Sequence, residues 1–215
     1  MTVRKTMGIW GRGAGLLAGL QLLRIGFKSL VFTFLPRTIS ADIVCSCVYM
    51  AAMTVFLLGW WRHQGEFLSL LPRRFGKGYL AAAILAGAFL VSTPLITRNT
   101  SFQALLSLVY GAVVTVTFEE VLFRGWVWQK LCSLGKGALP WLGSSVLFGL
   151  WHLGYADTVL WRTSLFSPSA DVVTILFWKV VTGLLLGLGF GLLRWKLGNV
   201  FAPGLAHLVI NAFGS

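Results

Sequence analysis

Residues 101–131 read SFQALLSLVYGAVVTVTFEEVLFRGWVWQKL. The run is apolar and long enough to span a bilayer, which takes about 20 apolar residues. Yet Glu119, Glu120 and Arg124 stand inside it. Ionisable groups in hydrocarbon cost roughly 2.5–3.5 kcal/mol each on insertion scales, and they persist where they face a bundle interior. The stretch therefore predicts a membrane helix that turns polar side chains inward. Such groups either perform chemistry or form a polar network that only locks helices together.

The chain around this segment has the composition of its solvent. Of 215 residues, 57% are hydrophobic and 11% are charged. A soluble domain carries roughly 25% charged residues, so too little polar surface exists to clothe a soluble core. No long polar stretch offers a separate soluble domain. One integral membrane domain over residues 1–215 is expected. Net charge is +12, but the basic residues lie between apolar runs and not on one polar face. That pattern suits membrane orientation and argues against a nucleic-acid partner. Cys45, Cys47 and Cys132 are an odd set in apolar surroundings. They argue against a disulfide framework and read as small packing residues.

Further apolar segments cover 13–35, 41–61, 79–96, 138–154, 170–193 and 199–213. With 101–131 they predict an all-α, polytopic bundle of six to seven spans. Segments 138–154 and 199–213 are short, as helices buried within a bundle can be. The first segment follows Arg4, Lys5 and Arg12 like a signal peptide, but Arg24 and Lys28 interrupt it and no small-residue cleavage site follows. It reads as an uncleaved anchor or an interfacial helix. Arg24 and Lys28 share a face and are expected to snorkel or to meet lipid phosphates. Residues 62–78 read as a loop or interfacial helix, and 155–169 as a polar loop.

Loop charges fit this partition. Arg4, Lys5, Arg12, Arg62, Arg73, Arg74, Lys77, Lys130, Lys136, Arg194 and Lys196 fall in alternate loops, with only Arg37, Arg98 and Arg162 in the others. Since Lys and Arg favour cytoplasmic loops, the N-terminus is expected in the cytoplasm.

Two of the three histidines, His152 and His207, also lie inside apolar segments. Depth relates them to the glutamates. Glu119 lies about 16 Å from the Lys130 end of its helix, His152 about 18 Å beyond Pro140 and His207 about 16 Å beyond Lys196, at 1.5 Å per residue. Three helices could thus bring these groups to one level near the midplane. Residues four apart share a helix face. Arg124 can neutralise Glu120, His207 and Asn211 face one way, and Phe148 sets a ring beside His152. Gly183, Gly187 and Gly191 form a small-residue stripe suited to close helix packing.

A carboxylate in a low-dielectric pocket can act as general base towards water. A histidine across from it can hold the same water. A second histidine with an amide can donate to a developing oxyanion. Together these are the parts needed to hydrolyse an amide. No HExxH occurs, so no standard zincin site is written here. Glutamate and histidine can bind zinc, and Glu119, His152 and His207 would be the ligands, but a metal is not implied.

At these residues the chain resembles the CAAX prenyl endopeptidase and bacteriocin-processing (CPBP, or Abi) family. Glu119-Glu120-Val121-Leu122-Phe123-Arg124 fits EExxxR, Phe148-Gly149-Leu150-Trp151-His152 fits FxxxH, and His207-Leu208-Val209-Ile210-Asn211 fits HxxxN. Residues 198–207 look like the family's approach to the last motif. The resemblance covers about 101–213 and implies a glutamate-dependent intramembrane protease. Its catalytic core would be 101–215, built by the helices that carry the three motifs, with N-terminal helices in 1–100. By carry-over, Glu119 would be the base and His152 its partner on the water. His207 and Asn211 would stabilise the oxyanion, and Glu120, Arg124 and Phe148 would support them. The resemblance implies metal-free catalysis, with no cofactor and with zinc not favoured. It also implies a membrane-associated peptide or protein as substrate, cut in a C-terminal tail in one subtype, where Cys45 or Cys47 could contribute. The compact chain and its charges suit a prokaryotic inner or plasma membrane. Two rival readings use the same residues: a proton-coupled carrier and a non-catalytic immunity or binding protein.

Overall fold

The computed structural model describes residues 3–135 and 137–214. Lys136, counted above among the loop charges, and the side chains of Arg4 and Lys5 lie outside the described part. Helices, turns and loops make up the described residues, with no strand among them. We number the helices α1 (Val3–Phe34), α2 (Ile39–His63), α3 (Lys77–Ile96), α4 (Phe102–Cys132), α5 (Ala138–Trp151), α6 (Ala156–Phe166), α7 (Val172–Leu197) and α8 (Phe201–Phe213). A 3₁₀ turn, His152–Tyr155, joins α5 to α6. Trp10–Phe34 of α1 and the whole of α2, α3, α4 and α7 are long and apolar enough to cross a membrane. The predicted short segments fold as the 14-residue α5 and the 13-residue α8. The protein is an all-helical, polytopic integral membrane protein.

Local chemistry sets the helix starts. Thr38 caps α2 by accepting from the Ala41 amide at 3.2 Å, and Ser101 caps α4 from Ala104 at 3.3 Å. A side-chain oxygen at the N-cap satisfies one of the amides that the first turn leaves open. Gly198, at φ 71°, closes α7 in the left-handed region that glycine enters without penalty.

The residues cluster into two compact units, one of 1–26 with 126–192 and one of 27–125 with 193–215. In the first, α5 lies along the glycine stripe of α7. A Cβ on Gly187 would sit 3.1 Å from the Ser145 backbone, and one on Gly191 would sit 2.7 Å from the Trp141 ring. The Trp141 indole N–H donates to the Leu188 carbonyl at 2.8 Å across the same crossing. In the second unit, α8 packs against α3 and α4. Leu108, Ala112 and Ala212 meet there in a small apolar core.

Two expectations are corrected, and one that was left open between loop and helix is decided. Residues 155–169 are not simply a polar loop, because α6 occupies 156–166, with Val159 and Thr163, four apart, on its buried face. Residues 64–76 form no helix. They form a loop of turns and bends, and where it passes the start of α8 the Ser69 and Leu70 carbonyls accept from the amides of Val200 and Phe201 at 2.9 Å each. Arg24 and Lys28 are buried and do not snorkel. Arg24 pairs with Asp157 in the first unit. Lys28 meets Asp42 at 2.7 Å in the second, and Arg37 reaches the same carboxylate at 2.8 Å. A buried cation that finds a carboxylate avoids the cost of standing alone in hydrocarbon.

Candidate active site

The second unit carries the buried glutamates on an irregular part of α4. Val109–Thr115 and Val121–Val127 are π-helical, and they bracket a single α-helical turn, Val116–Glu120. Such wide turns loosen the i→i−4 ladder and recur at functional sites. Glu119, Glu120, Arg124 and His207 are each at most 3% exposed.

α8 presents His207. Asn199 steadies its start: its Oδ1 accepts from the Ala202 amide at 3.0 Å, and its amide donates to the Tyr79 hydroxyl at 2.7 Å. His207 Nδ1 lies 2.9 Å from Glu120 Oε1. Arg124 Nη1 lies 3.1 Å from that same oxygen, as the four-residue spacing predicted. Glu120 is thus held from two sides by charge-assisted contacts. The other imidazole nitrogen, Nε2, is 4.0 Å from Glu119 Oε2, beyond direct hydrogen-bond reach. One turn further along α8, Asn211 donates its amide to the Gly111 carbonyl at 2.9 Å. His207 and Asn211 therefore both turn towards α4, one meeting Glu120 and the other the first π segment.

His152 and Phe148 belong to the first unit and form their own pair. The rings meet edge to face, with centroids 5.0 Å apart. His152 Nδ1 is 2.8 Å from the Phe148 carbonyl. A carbonyl only accepts, so Nδ1 carries a proton there, and whenever the ring is neutral Nε2 is its acceptor nitrogen. Gly183 lies against this imidazole, where a Cβ would come within 2.7 Å of Nδ1.

Sequence reasoning passed over two supports. Arg194, read as a loop charge, is buried and donates through Nε to the Arg124 carbonyl at 2.8 Å. No spacing rule signals such a contact. Gly183 was legible only as part of a packing stripe. Among the described residues, no group of three or more His, Cys, Asp or Glu side chains is arranged to hold a metal ion. An apolar cavity of about 270 Å³ adjoins Glu120, lined by Val116, Val121, Leu70, Gly204 and Leu208. A larger apolar groove of about 780 Å³ runs between α3 and α8, past Ala86, Phe89 and Val209, without touching either glutamate.

Fold and site define a polytopic helical membrane protein with a buried glutamate–histidine cluster. A family model described as type II CAAX prenyl endopeptidase Rce1-like matches residues 100–213, which is more than half of the chain. The chain belongs to that family, and so to the membrane proteases. Neither the curated proteins nor the solved structures returned a match.

Proposed function

We propose that the protein is a glutamate-dependent intramembrane endopeptidase that cuts a membrane-associated protein or peptide in its C-terminal tail. The observation that carries the reading is a buried histidine set between two adjacent glutamates, with one ring nitrogen towards each. Glu120 is committed to Arg124 and His207. Glu119, equally buried, stands 4.0 Å from the second imidazole nitrogen. A water, which can donate to the carboxylate and exchange a hydrogen bond with the imidazole, can be shared across that distance.

In this reading Glu119 takes a proton from water as it attacks the scissile carbonyl. The FxxxH match assigns His152 a water-activating part, with Nε2 as acceptor. His207 and Asn211 donate to the developing oxyanion. Donation from Nε2 of His207 requires the doubly protonated ring, because Nδ1 already faces Glu120. Glu119 and Glu120 together balance the charges of His207 and Arg124. Phe148 keeps the His152 ring upright. The proton on Glu119 then passes to the departing amine. The apolar cavity beside Glu120 suits an aliphatic stretch of substrate. The reaction needs no cofactor and no metal. The charge pattern supports an N-terminus and a 62–78 loop in the cytoplasm, and with the compact chain it suits a prokaryotic inner or plasma membrane.

The test is a comparison of peptide termini, by mass spectrometry, in membranes carrying wild type or Glu119→Gln at equal abundance. A terminus formed only with wild type establishes proteolysis and names the substrate. Identical termini in both would return the weight to the carrier or binding readings.

A further inference from the structure

Arg24 is 2% exposed in the middle of α1, outside the segment that the family model matches. Apart from Gln21 on its own helix, its partners in the first unit lie on the turn that carries His152 or just after it. Nη2 pairs with the Asp157 carboxylate and donates to the Gly154 carbonyl at 2.6 Å. Nη1 reaches the other Asp157 oxygen at 3.4 Å and Thr158 Oγ1 at 3.5 Å. Nε donates to Gln21 Oε1 at 2.8 Å. Gln21 in turn donates to the Trp151 carbonyl at 3.2 Å. The guanidinium carbon lies 5.1 Å from the centre of the Tyr155 ring, a cation–π distance. Tyr155 accepts from the Trp151 indole at 3.1 Å, and its ring stands 6.1 Å from that of His152. The bonded positions, Trp151 and Gly154, therefore flank His152 on both sides.

The arrangement has a physical logic. A short 3₁₀ turn has poorer internal hydrogen bonds than an α-helix and holds its side chains loosely. Where the helix tightens, carbonyls leave the regular ladder, and Gln21 and Arg24 occupy two of them. Gly154 makes the approach possible, because a Cβ there would overlap the Gln21 side chain. The fork of arginine suits the task, with donors aimed at four residues at once. Gly183 also abuts the imidazole, while the Phe148 carbonyl holds Nδ1.

We infer that Arg24 and Gln21 are positioning residues for His152. The N-terminal helix clamps the turn and holds the imidazole in the tautomer that leaves Nε2 to accept. The inference rests on the reading of His152 as a water-activating group. A misplacement of about 1 Å can cost on the order of 10²-fold in rate.

The experiment uses the full chain in nanodiscs, with the substrate found by the terminus screen and with ¹⁵N-labelled histidine. The His152 signals are assigned by their loss in His152→Gln. Wild type is expected to show one tautomer, protonated at Nδ1. Arg24→Gln is expected to lower kcat by roughly 10²-fold, leave KM unchanged and mix the tautomers. Arg24→Lys, which keeps the charge without the fork, should fall between. Full kcat with the single tautomer retained overturns the inference. Lost activity with the tautomer unchanged overturns it too, since Arg24 would then act on folding and not on the ring. If Arg24→Gln is not recovered folded, Gln21→Leu and Arg24→Lys are read by the same two criteria. Mixed tautomers with kcat intact keep the clamp and reject His152 as a catalytic group. If wild type cleaves nothing, the protease reading fails and the spectrum alone decides the clamp.

Discussion

At the scale of single residues, Glu120 and Glu119 have the same chemistry and different surroundings. Glu120 shares one oxygen between Arg124 and His207. Removing one partner of a buried ion pair leaves the other charge stranded, which costs about 3–5 kcal/mol. Arg124→Ala should therefore lower stability by that order, read from thermal unfolding in detergent, and lose activity with it. Glu119→Gln should keep the wild-type unfolding midpoint while losing cleavage, because glutamine matches the shape of glutamate and removes the base. The Glu120–Arg124 pair was legible as an i,i+4 spacing, and the Phe148–His152 pair likewise. The contact of His207 with Glu120 was not, since 87 residues separate the two and only packing can join them.

At the scale of helices, α7 shows how a stripe becomes a crossing. A Cβ on Gly187 would press on the Ser145 backbone at 3.1 Å, whereas Gly189 has open space around it. Gly187→Leu should overpack the α5–α7 contact and cost about 1–3 kcal/mol. Gly189→Ala, away from that contact, should stay within about 0.5 kcal/mol of wild type. Unfolding midpoints of the two variants, side by side, check the pair. Asp171 opens the same helix outside its apolar span. Its carboxylate accepts from the Val173 amide at 2.9 Å and the Thr174 hydroxyl at 2.6 Å. The Thr174 hydroxyl, then the Val173 amide, hold its proton affinity below the ordinary aspartate value. The ionised cap is therefore in place above about pH 4, the ordinary range, and is lost as pH falls through the lowered value. Amide shifts of Val173 and Thr174 should titrate together at that lower midpoint, and Asp171→Asn should abolish the titration. The sequence showed where α7 begins to within a few residues. It did not show α6, because Val159 and Thr163 form too brief an apolar pattern to stand out from a polar stretch.

At the scale of the molecule, the membrane is the organising solvent. α3 spans 20 residues between a strongly basic loop and one with a single arginine, Arg98. In a background with Cys45, Cys47 and Cys132 replaced by serine, Arg73→Cys and Arg98→Cys should label from opposite faces of sealed vesicles. Arg73→Cys should label from the cytoplasmic face. Labelling of both from one face would reject both the crossing and the orientation.

Composition and hydropathy alone determined that this is a helical membrane protein, because a chain with so little charge has no soluble alternative. Spacing within single helices determined which glutamate is neutralised and which ring stands beside His152, since a helix repeats its faces every three to four residues. The tertiary structure alone decided the rest. Only packed helices could join His207 to Glu120, turn Arg24 and Lys28 from expected lipid contacts into buried ion pairs, and set π-helical turns on either side of the glutamates. Those features depend on partners distant in the chain, and no local period encodes them.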